Sequence, residues 1–172
     1  EKGSGMQVGQ IRALGDEPVT AAFDDNQARF TFNDVEFTTR LIEGQYPDYR
    51  SIIPSETPVL LELDRENLIA AVRQASLFGK QGIYDVTLAY DGARTTAVRA
   101  ASAQAGESET TVPVKGSGEA VTVVFNFRYL LDGLTSLSSE AVTVGLGTPA
   151  SPGLLRPKGD AHALYLIMPI RQ

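Results

Sequence analysis

The chain has 172 residues, of which 42% are hydrophobic and 21% charged, with a net charge of −6 and a pI of about 4.8. It contains no cysteine and one histidine, His162, which excludes disulfides, thiol catalysis, thiolate metal sites and paired-histidine mechanisms. No apolar run approaches the roughly 20 residues that cross a bilayer, and the acidic balance argues against a broad basic nucleic-acid footprint, although not against a local basic stripe.

The first part of the chain predicts a short antiparallel sheet. Residues 1–5 carry no apolar segment typical of a signal peptide and are interpreted as appended to the natural sequence. Residues 27–32 alternate, with Ala28, Phe30 and Phe32 on one side, and residues 35–42 are β-branched and aromatic. The stretches DDNQ and NDV between these strands favour tight turns.

A strand followed by a helix is repeated along the chain. LELDRENLIAAV (residues 61–72) and VVFNFRYLLDGL (residues 123–134) each run from an apolar strand into Asp64 or Asn126, both good helix N-caps, and then show apolar residues at i, i+1 and i+4. The strands VTLAYDG and VTVGLG follow these helices. A third copy, from QVGQIRALGDEP to VTAAFDD, opens the chain.

These units predict an α+β fold of antiparallel sheets with helices packed on one face. Two complete units form a domain over residues 56–172, whereas residues 1–55 hold a single unit that cannot bury its sheet face alone. We therefore expect residues 1–55 to be the C-terminal half of a preceding domain and the chain to be the tail of a longer protein. QYPDYRSIIPSETP (residues 45–58) is the expected linker.

Several motifs occur in an order that resembles the bacterial DNA polymerase III sliding clamp (β subunit). They are RLIEGQYPDYRSIIP, LELDRENLIAAVRQASLF, FNFRYLLDGL and the terminal YLIMPIR. The resemblance implies the DNA-clamp fold, two helices per domain, and a homodimeric ring that encircles duplex DNA. It makes this chain the end of the second clamp domain plus the third. It also implies that polymerase subunits, the clamp loader and repair proteins bind through short peptides in an apolar groove.

The apolar end of the chain has two interpretations. Residues 163–168 are apolar on both faces, so by pattern alone they form a core strand. The resemblance instead makes the tail one wall of the groove, with Pro169 ending the strand ladder and Met168 offering an adaptable contact. Ser51 stands where many clamps carry an arginine. The groove residues that the resemblance implies are Pro47, Ser51, Ile52, Pro152, Leu166, Ile167, Met168, Pro169, Ile170 and Arg171.

The DNA and dimer surfaces are also expectations. Arg65, Arg73, Lys80 and Arg128 are expected to face DNA, because a sliding ring needs phosphate attraction and no base contacts; the alternative is an ordinary solvated helix face. By family position, Leu77, Phe78, Glu107 and Glu109 would face a second subunit, the alternative for the first two being local packing. Acidic residues on an edge strand also oppose random strand pairing.

The sequence predicts no enzyme. No phosphate loop, nucleophile elbow or paired acid and base is present, so catalytic residues, cofactors and metal sites are all expected to be absent. The predicted function is that of a DNA polymerase processivity factor in the cytoplasm, associated with the nucleoid and without membrane partners. The alternative is a clamp-like α+β module that binds peptides and does not encircle DNA.

Overall fold

The computed structural model describes residues 18–44, 48–80, 82–160 and 163–171. It divides the chain into two compact units, Glu1–Pro47 and Asp48–Gln172. The helix expected near the start of the chain lies outside the described residues, as do Pro47 and His162.

The first unit contains a three-stranded antiparallel sheet in the order β1-β2-β3, with β1 at Thr20–Phe23, β2 at Gln27–Phe32 and β3 at Val35–Arg40. The carboxylate of Asp24 accepts hydrogen bonds from the N–H groups of Asn26 and Gln27, at 2.9 and 2.7 Å, and so closes the first hairpin. Asn33, with φ 45°, closes the second in a left-handed conformation that asparagine tolerates. The predicted strands are confirmed, although β3 ends two residues before the predicted Ile42.

The second unit begins with a 3₁₀ turn at Tyr49–Ile52. Its strands are β4 (Val59–Asp64), β5 (Asp85–Tyr90), β6 (Thr95–Ser102), β7 (Gly106–Pro113), β8 (Lys115–Ser117), β9 (Val121–Asn126), β10 (Ala141–Leu146), β11 (Gly153–Pro157) and β12 (Tyr165–Ile167). Its helices are α1 (Arg65–Ser76) and α2 (Phe127–Ser136).

The predicted strand–helix repeat in this unit is confirmed. Asp64 caps α1 by accepting from the N–H of Asn67 at 2.8 Å, and Asn126 caps α2 by accepting from the N–H of Arg128 at 2.9 Å. A short polar side chain in extended backbone satisfies N–H groups that a helix leaves unpaired in its first turn. The same local chemistry therefore starts both helices directly after β4 and β9.

The unit has two antiparallel sheets, in the strand orders β12-β11-β10-β4-β8 and β7-β6-β5-β9, and each helix packs one face against them and keeps the other exposed. Helices α1 and α2 contact each other, and the buried apolar residues of both helices and both sheets form one core. Burial of this surface is the main favourable term in folding. The largest fully buried side chains are Phe125, Leu61, Leu68, Leu88, Leu130, Leu134, Leu146, Leu155, Val72, Val86, Val98 and Val123.

Two strands differ from the prediction. The stretch ETTVPVKGSG was expected to be one strand, but Pro113 ends β7 and the following β8 pairs with β4 in the other sheet. β11 was not predicted, because Gly and Pro around SPGLL indicate a loop. Its buried Leu154 and Leu155 show why the chain is extended there.

Candidate functional site

The C-terminal tail, residues 165–171, joins the two sheets of the second unit. β12 pairs with β11, with Ile167 opposite Gly153. The tail then leaves this sheet: Pro169 lies opposite Phe125 of β9, and the N–H of Ile170 donates to the carbonyl oxygen of Val124 at 2.7 Å. The chain end is therefore held by backbone contacts on both of its sides.

This path agrees with one expectation about the tail and corrects another. The ladder with β11 stops at Ile167, before Pro169, and the chain then makes a single bridge to β9, where Ile170 donates the hydrogen bond that Pro169 cannot; both side chains are half-buried. Ile167 is 3% exposed and belongs to the core, so its side chain supports the tail and offers no surface to a partner. Met168, the next residue, is 56% exposed, which makes it the apolar residue that the tail presents outward.

The predicted groove residues on the tail therefore separate by exposure. Leu166, Pro169 and Ile170 are half-buried, and Arg171 is exposed. Pro152 is half-buried and comes directly before Gly153, the β11 residue that pairs with Ile167. The core and surface interpretations of the tail thus each apply to part of it.

The other predicted groove residues in this unit lie on the 3₁₀ turn. The Ser51 hydroxyl donates to the carbonyl oxygen of Asp48 at 2.7 Å, and the Asp48 carboxylate accepts from the N–H of Arg50 at 3.1 Å. These bonds fix the turn locally. Ile52 is exposed on it. The structure places Ser51 and Ile52 on an exposed, hydrogen-bonded turn, and the predicted Pro47 lies outside the described residues.

Tyr129 of α2 is an exposed aromatic residue that the sequence analysis did not identify. It lies near Tyr165 at the start of β12: burial raises the pKa of the Tyr165 hydroxyl, and the nearby Asp132 and Tyr129 raise it further. Tyr129 directly precedes Leu130 of the buried stripe. A large aromatic residue that lies next to the buried apolar positions of a helix, and not among them, is the sequence signal that could have indicated an exposed binding residue.

Arg65 was expected to face DNA, and the structure corrects this. Its Nε donates to the carbonyl oxygen of Ser139 at 2.8 Å, and its Nη1 donates to that of Leu134 at 3.3 Å. Its Nη2 lies 2.7 Å from a carboxylate oxygen of Glu66. Because the side chain is largely buried and each of its three nitrogens contacts an oxygen of the chain, Arg65 fastens α1 to the end of α2 and the segment after it.

The other predicted DNA-facing cations, Arg73, Lys80 and Arg128, are exposed. Arg73 lies in the last turn of α1, whereas Lys80 lies in the loop beyond that helix.

The guanidinium of Arg128 stacks 3.6 Å over the centre of the Tyr84 ring, and Lys80 Nζ lies 3.8 Å from an Asp85 carboxylate oxygen. Tyr84 and Lys80 share an open cavity of about 300 Å³ with Ser76, Gly79, Ser102, Gln104, Ala105 and Phe127.

The predicted dimer residues lie in two places. Leu77 caps α1 with 75% of its surface exposed, whereas Phe78 is half-buried and packs against the core. Glu107 and Glu109 are exposed on β7, an edge strand of the four-stranded sheet. Glu109 forms a 2.7 Å ion pair with Arg99 on β6, so part of the negative charge at this edge is neutralised within the chain.

Within residues 18–44, 48–80, 82–160 and 163–171, no group of three or more His, Cys, Asp or Glu side chains is placed to hold a metal ion. No helix among these residues is long and apolar enough to cross a membrane.

Residues 50–171 match the family described as DNA polymerase III beta subunit, C-terminal domain. The beta sliding clamp of Synechococcus elongatus is 32% identical over 157 residues, which are 91% of this chain and 42% of that protein. The beta sliding clamp of Staphylococcus aureus is 28% identical over 166 residues, 96% of this chain and 44% of that protein. The chain thus spans less than half the length of these relatives.

Solved structures give the same result. The crystal structure of the DNA polymerase sliding clamp from Bacillus subtilis is 26% identical, with a TM-score of 0.82 over 90% of this chain and 41% of that one. The Pseudomonas aeruginosa sliding clamp bound to griselimycin is 24% identical, with a TM-score of 0.86 over 97% of this chain and 45% of that one, and it bears on the fold alone.

Proposed function

This chain belongs to the DNA polymerase III beta subunit family, and we propose that it forms the C-terminal part of a processivity clamp that encircles duplex DNA. The observation that carries the proposal is that residues 50–171 match the C-terminal domain of that family and fold as two strand–helix units around one core. Since the chain spans less than half of its relatives, the ring is proposed for the whole protein.

The exposed cations support a role in surrounding DNA. A ring that slides must attract phosphates without binding any base, and a few exposed cations meet this requirement. Arg73, Lys80 and Arg128 are exposed on the second unit, and Arg128 is held in place by its stacking on Tyr84. We assign DNA contact to these three residues and withdraw it from Arg65.

The second function of the proposed clamp is to bind polymerase subunits, the clamp loader and repair proteins through short apolar peptides. Met168 is exposed on a tail that pairs with β11 before it and with β9 after it, and Pro152 directly precedes Gly153, the β11 residue paired with Ile167. A flexible thioether on a rigid support suits a site that accepts many partners. We therefore place the centre of the groove wall at Met168 and Pro152, with Ile52 and Ser51 as further members.

The proposal includes a homodimer in the full-length protein. Leu77 and the edge strand β7 would meet the other subunit, and Glu107 would supply charge for recognition there. The clamp acts as an accessory subunit of the polymerase in the cytoplasm, on the nucleoid, and carries out no chemistry itself.

Retention on circular DNA tests the ring. The full-length protein, loaded onto a nicked circular plasmid by its clamp loader, should remain bound through gel filtration, and linearising the plasmid should release it. A topological link ends when a free DNA end appears, whereas ordinary electrostatic binding does not depend on ends. Absence of retention on either DNA would overturn the ring and favour the clamp-like peptide-binding module.

A further inference from the structure

Two glycines in the second unit border the residues that hold the C-terminal tail. A Cβ atom at Gly133 of α2 would lie 2.6 Å from Cδ1 of Tyr165 and 2.8 Å from Cδ1 of Leu155. A Cβ atom at Gly153 of β11 would lie 2.8 Å from Cζ of Phe125. Carbon atoms in well-packed proteins do not approach so closely, so any larger residue would displace these neighbours.

Neither Gly133 nor Gly153 has a backbone conformation that requires glycine. Gly133 lies inside a helix and Gly153 inside a strand, and neither is among the residues with positive φ. Glycine is disfavoured in the interior of both kinds of element, so a glycine there has a packing reason. That reason is the space that Tyr165 and Phe125 occupy.

The residues that these two glycines would contact either belong to the C-terminal tail or pair with it. Tyr165 is the first residue of β12, and Gly153 pairs with Ile167, its last residue. The Phe125 ring packs beside Gly153, and Phe125 itself lies opposite Pro169. One residue further, the N–H of Ile170 donates to Val124 at 2.7 Å. The two glycines thus lie under the two ends of the tail segment that carries Met168.

We propose that Gly133 and Gly153 are positioning residues for the groove wall: the space at each glycine lets Tyr165 and Phe125 hold the tail across both sheets, which presents Met168 to a partner. The ligand-binding consequence rests on the proposed peptide groove, whereas the positioning of the tail does not. The inference therefore has a direct readout in the unliganded chain, the hydrogen exchange of the Ile170 amide.

The first variant is Gly133→Ala in the 172-residue chain. Alanine favours the helix, so α2 amides should exchange at the same rate or more slowly, while the Ile170 amide should exchange at least about tenfold faster. The matched control, Thr135→Ala on the exposed side of the same helix, should leave Ile170 unchanged. Unchanged Ile170 exchange in Gly133→Ala would overturn the role of Gly133.

A second variant restores the lost space. Tyr165→Val in the Gly133→Ala background removes the Cδ1 and Cε1 atoms that the new methyl group would meet, keeps a residue that favours a strand, and should return the Ile170 exchange rate to within about threefold of wild type. Failure to restore it would show that the effect does not pass through Tyr165 and would contradict the proposal. Gly153→Ala should also accelerate Ile170 exchange; if that variant does not fold, the Gly133 series still decides the inference.

Ligand binding separates this inference from the proposed function. In the full-length protein, Gly133→Ala should weaken binding of a short apolar peptide from a polymerase subunit of the same organism at least about tenfold, and the added Tyr165→Val should recover it. If the wild-type protein binds this peptide and Gly133→Ala binds it equally well, the positioning role is refuted. If the wild-type protein does not bind the peptide, the groove assignment fails, and the exchange of Ile170 decides the positioning role.

Discussion

The Nε atom of Arg65 lies 2.8 Å from the carbonyl oxygen of Ser139, a residue 74 positions further along the chain. The backbone N–H of Arg65 also donates to the carbonyl oxygen of Glu140, at 2.8 Å. These bonds join the first turn of α1 to the segment that leads from α2 into β10. Arg65 lies in the first strand–helix repeat and donates to carbonyl oxygens of the second, and it therefore stabilises the domain.

Replacing Arg65 should therefore destabilise the second unit. Arg65→Ala leaves the carbonyl oxygens of Ser139 and Leu134 without this donor, and should lower the free energy of unfolding by about 1–3 kcal/mol. Urea denaturation of the chain measures the change. Arg73→Ala, at an exposed position of the same helix, is the matched control and should change stability by less than about 0.5 kcal/mol. Equal effects of the two substitutions would contradict the assignment.

Met168 should affect binding far more than stability. Because it is 56% exposed, Met168→Ala should cost less than about 1 kcal/mol of unfolding free energy, yet weaken binding of a short apolar polymerase peptide by the full-length protein about tenfold or more. Isothermal calorimetry gives the affinity. The control is Leu164→Ala, an exposed apolar residue just before β12, which should bind normally. Unchanged affinity in Met168→Ala would remove the tail from the groove.

Leu77 and Phe78 should behave differently although they are adjacent. Leu77 is 75% exposed, so Leu77→Ala should change unfolding by less than about 0.5 kcal/mol while raising the dimer dissociation constant of the full-length protein about tenfold. Phe78→Ala should destabilise the unit itself, because its ring packs on the core. Sedimentation velocity and urea denaturation separate the two effects. A normal dimer in Leu77→Ala would exclude this residue from the interface.

The contact between Glu62 and Lys158 predicts that the stability of the fold depends on pH. The hydrogen bond from Lys158, at 2.7 Å, is the largest effect and lowers the pKa of the Glu62 carboxyl below its ordinary value of 4.5; burial opposes it, and the charges of Lys158 and then Lys115 lower the pKa further. A depressed folded-state pKa stabilises the fold above the unfolded-state pKa, and this contribution is lost as the pH falls through the folded-state pKa.

Glu62→Gln should therefore be less stable than wild type above pH 4.5, and the difference should shrink as the pH falls below that value. Urea denaturation at a series of pH values gives the difference at each pH. Glu119→Gln, at an exposed position outside the strands, serves as the control and should follow the wild type. A difference that stays constant through the acid range would show that the Lys158 contact does not act through ionisation.

Local sequence signals predicted the elements that short-range forces decide. Asp64 and Asn126 each mark the start of a helix, because a side chain capping an N–H two or three residues away needs no distant partner. The strand β11 escaped prediction because its two buried leucines are few and the surrounding glycine and prolines resemble a loop. Which strands share a sheet is decided by pairings between segments that are distant in the sequence, so no short segment predicts it.

The sequence by itself determined the repeated strand–helix unit, the α+β class and an apolar chain end, since periodicity and capping act within a few residues. The tertiary structure decided what individual side chains do. It placed Arg65 against distant carbonyl oxygens, buried Ile167 and exposed Met168. Neighbouring residues of an extended chain point to opposite sides, and only the packing of two sheets and a helix determines which side is covered.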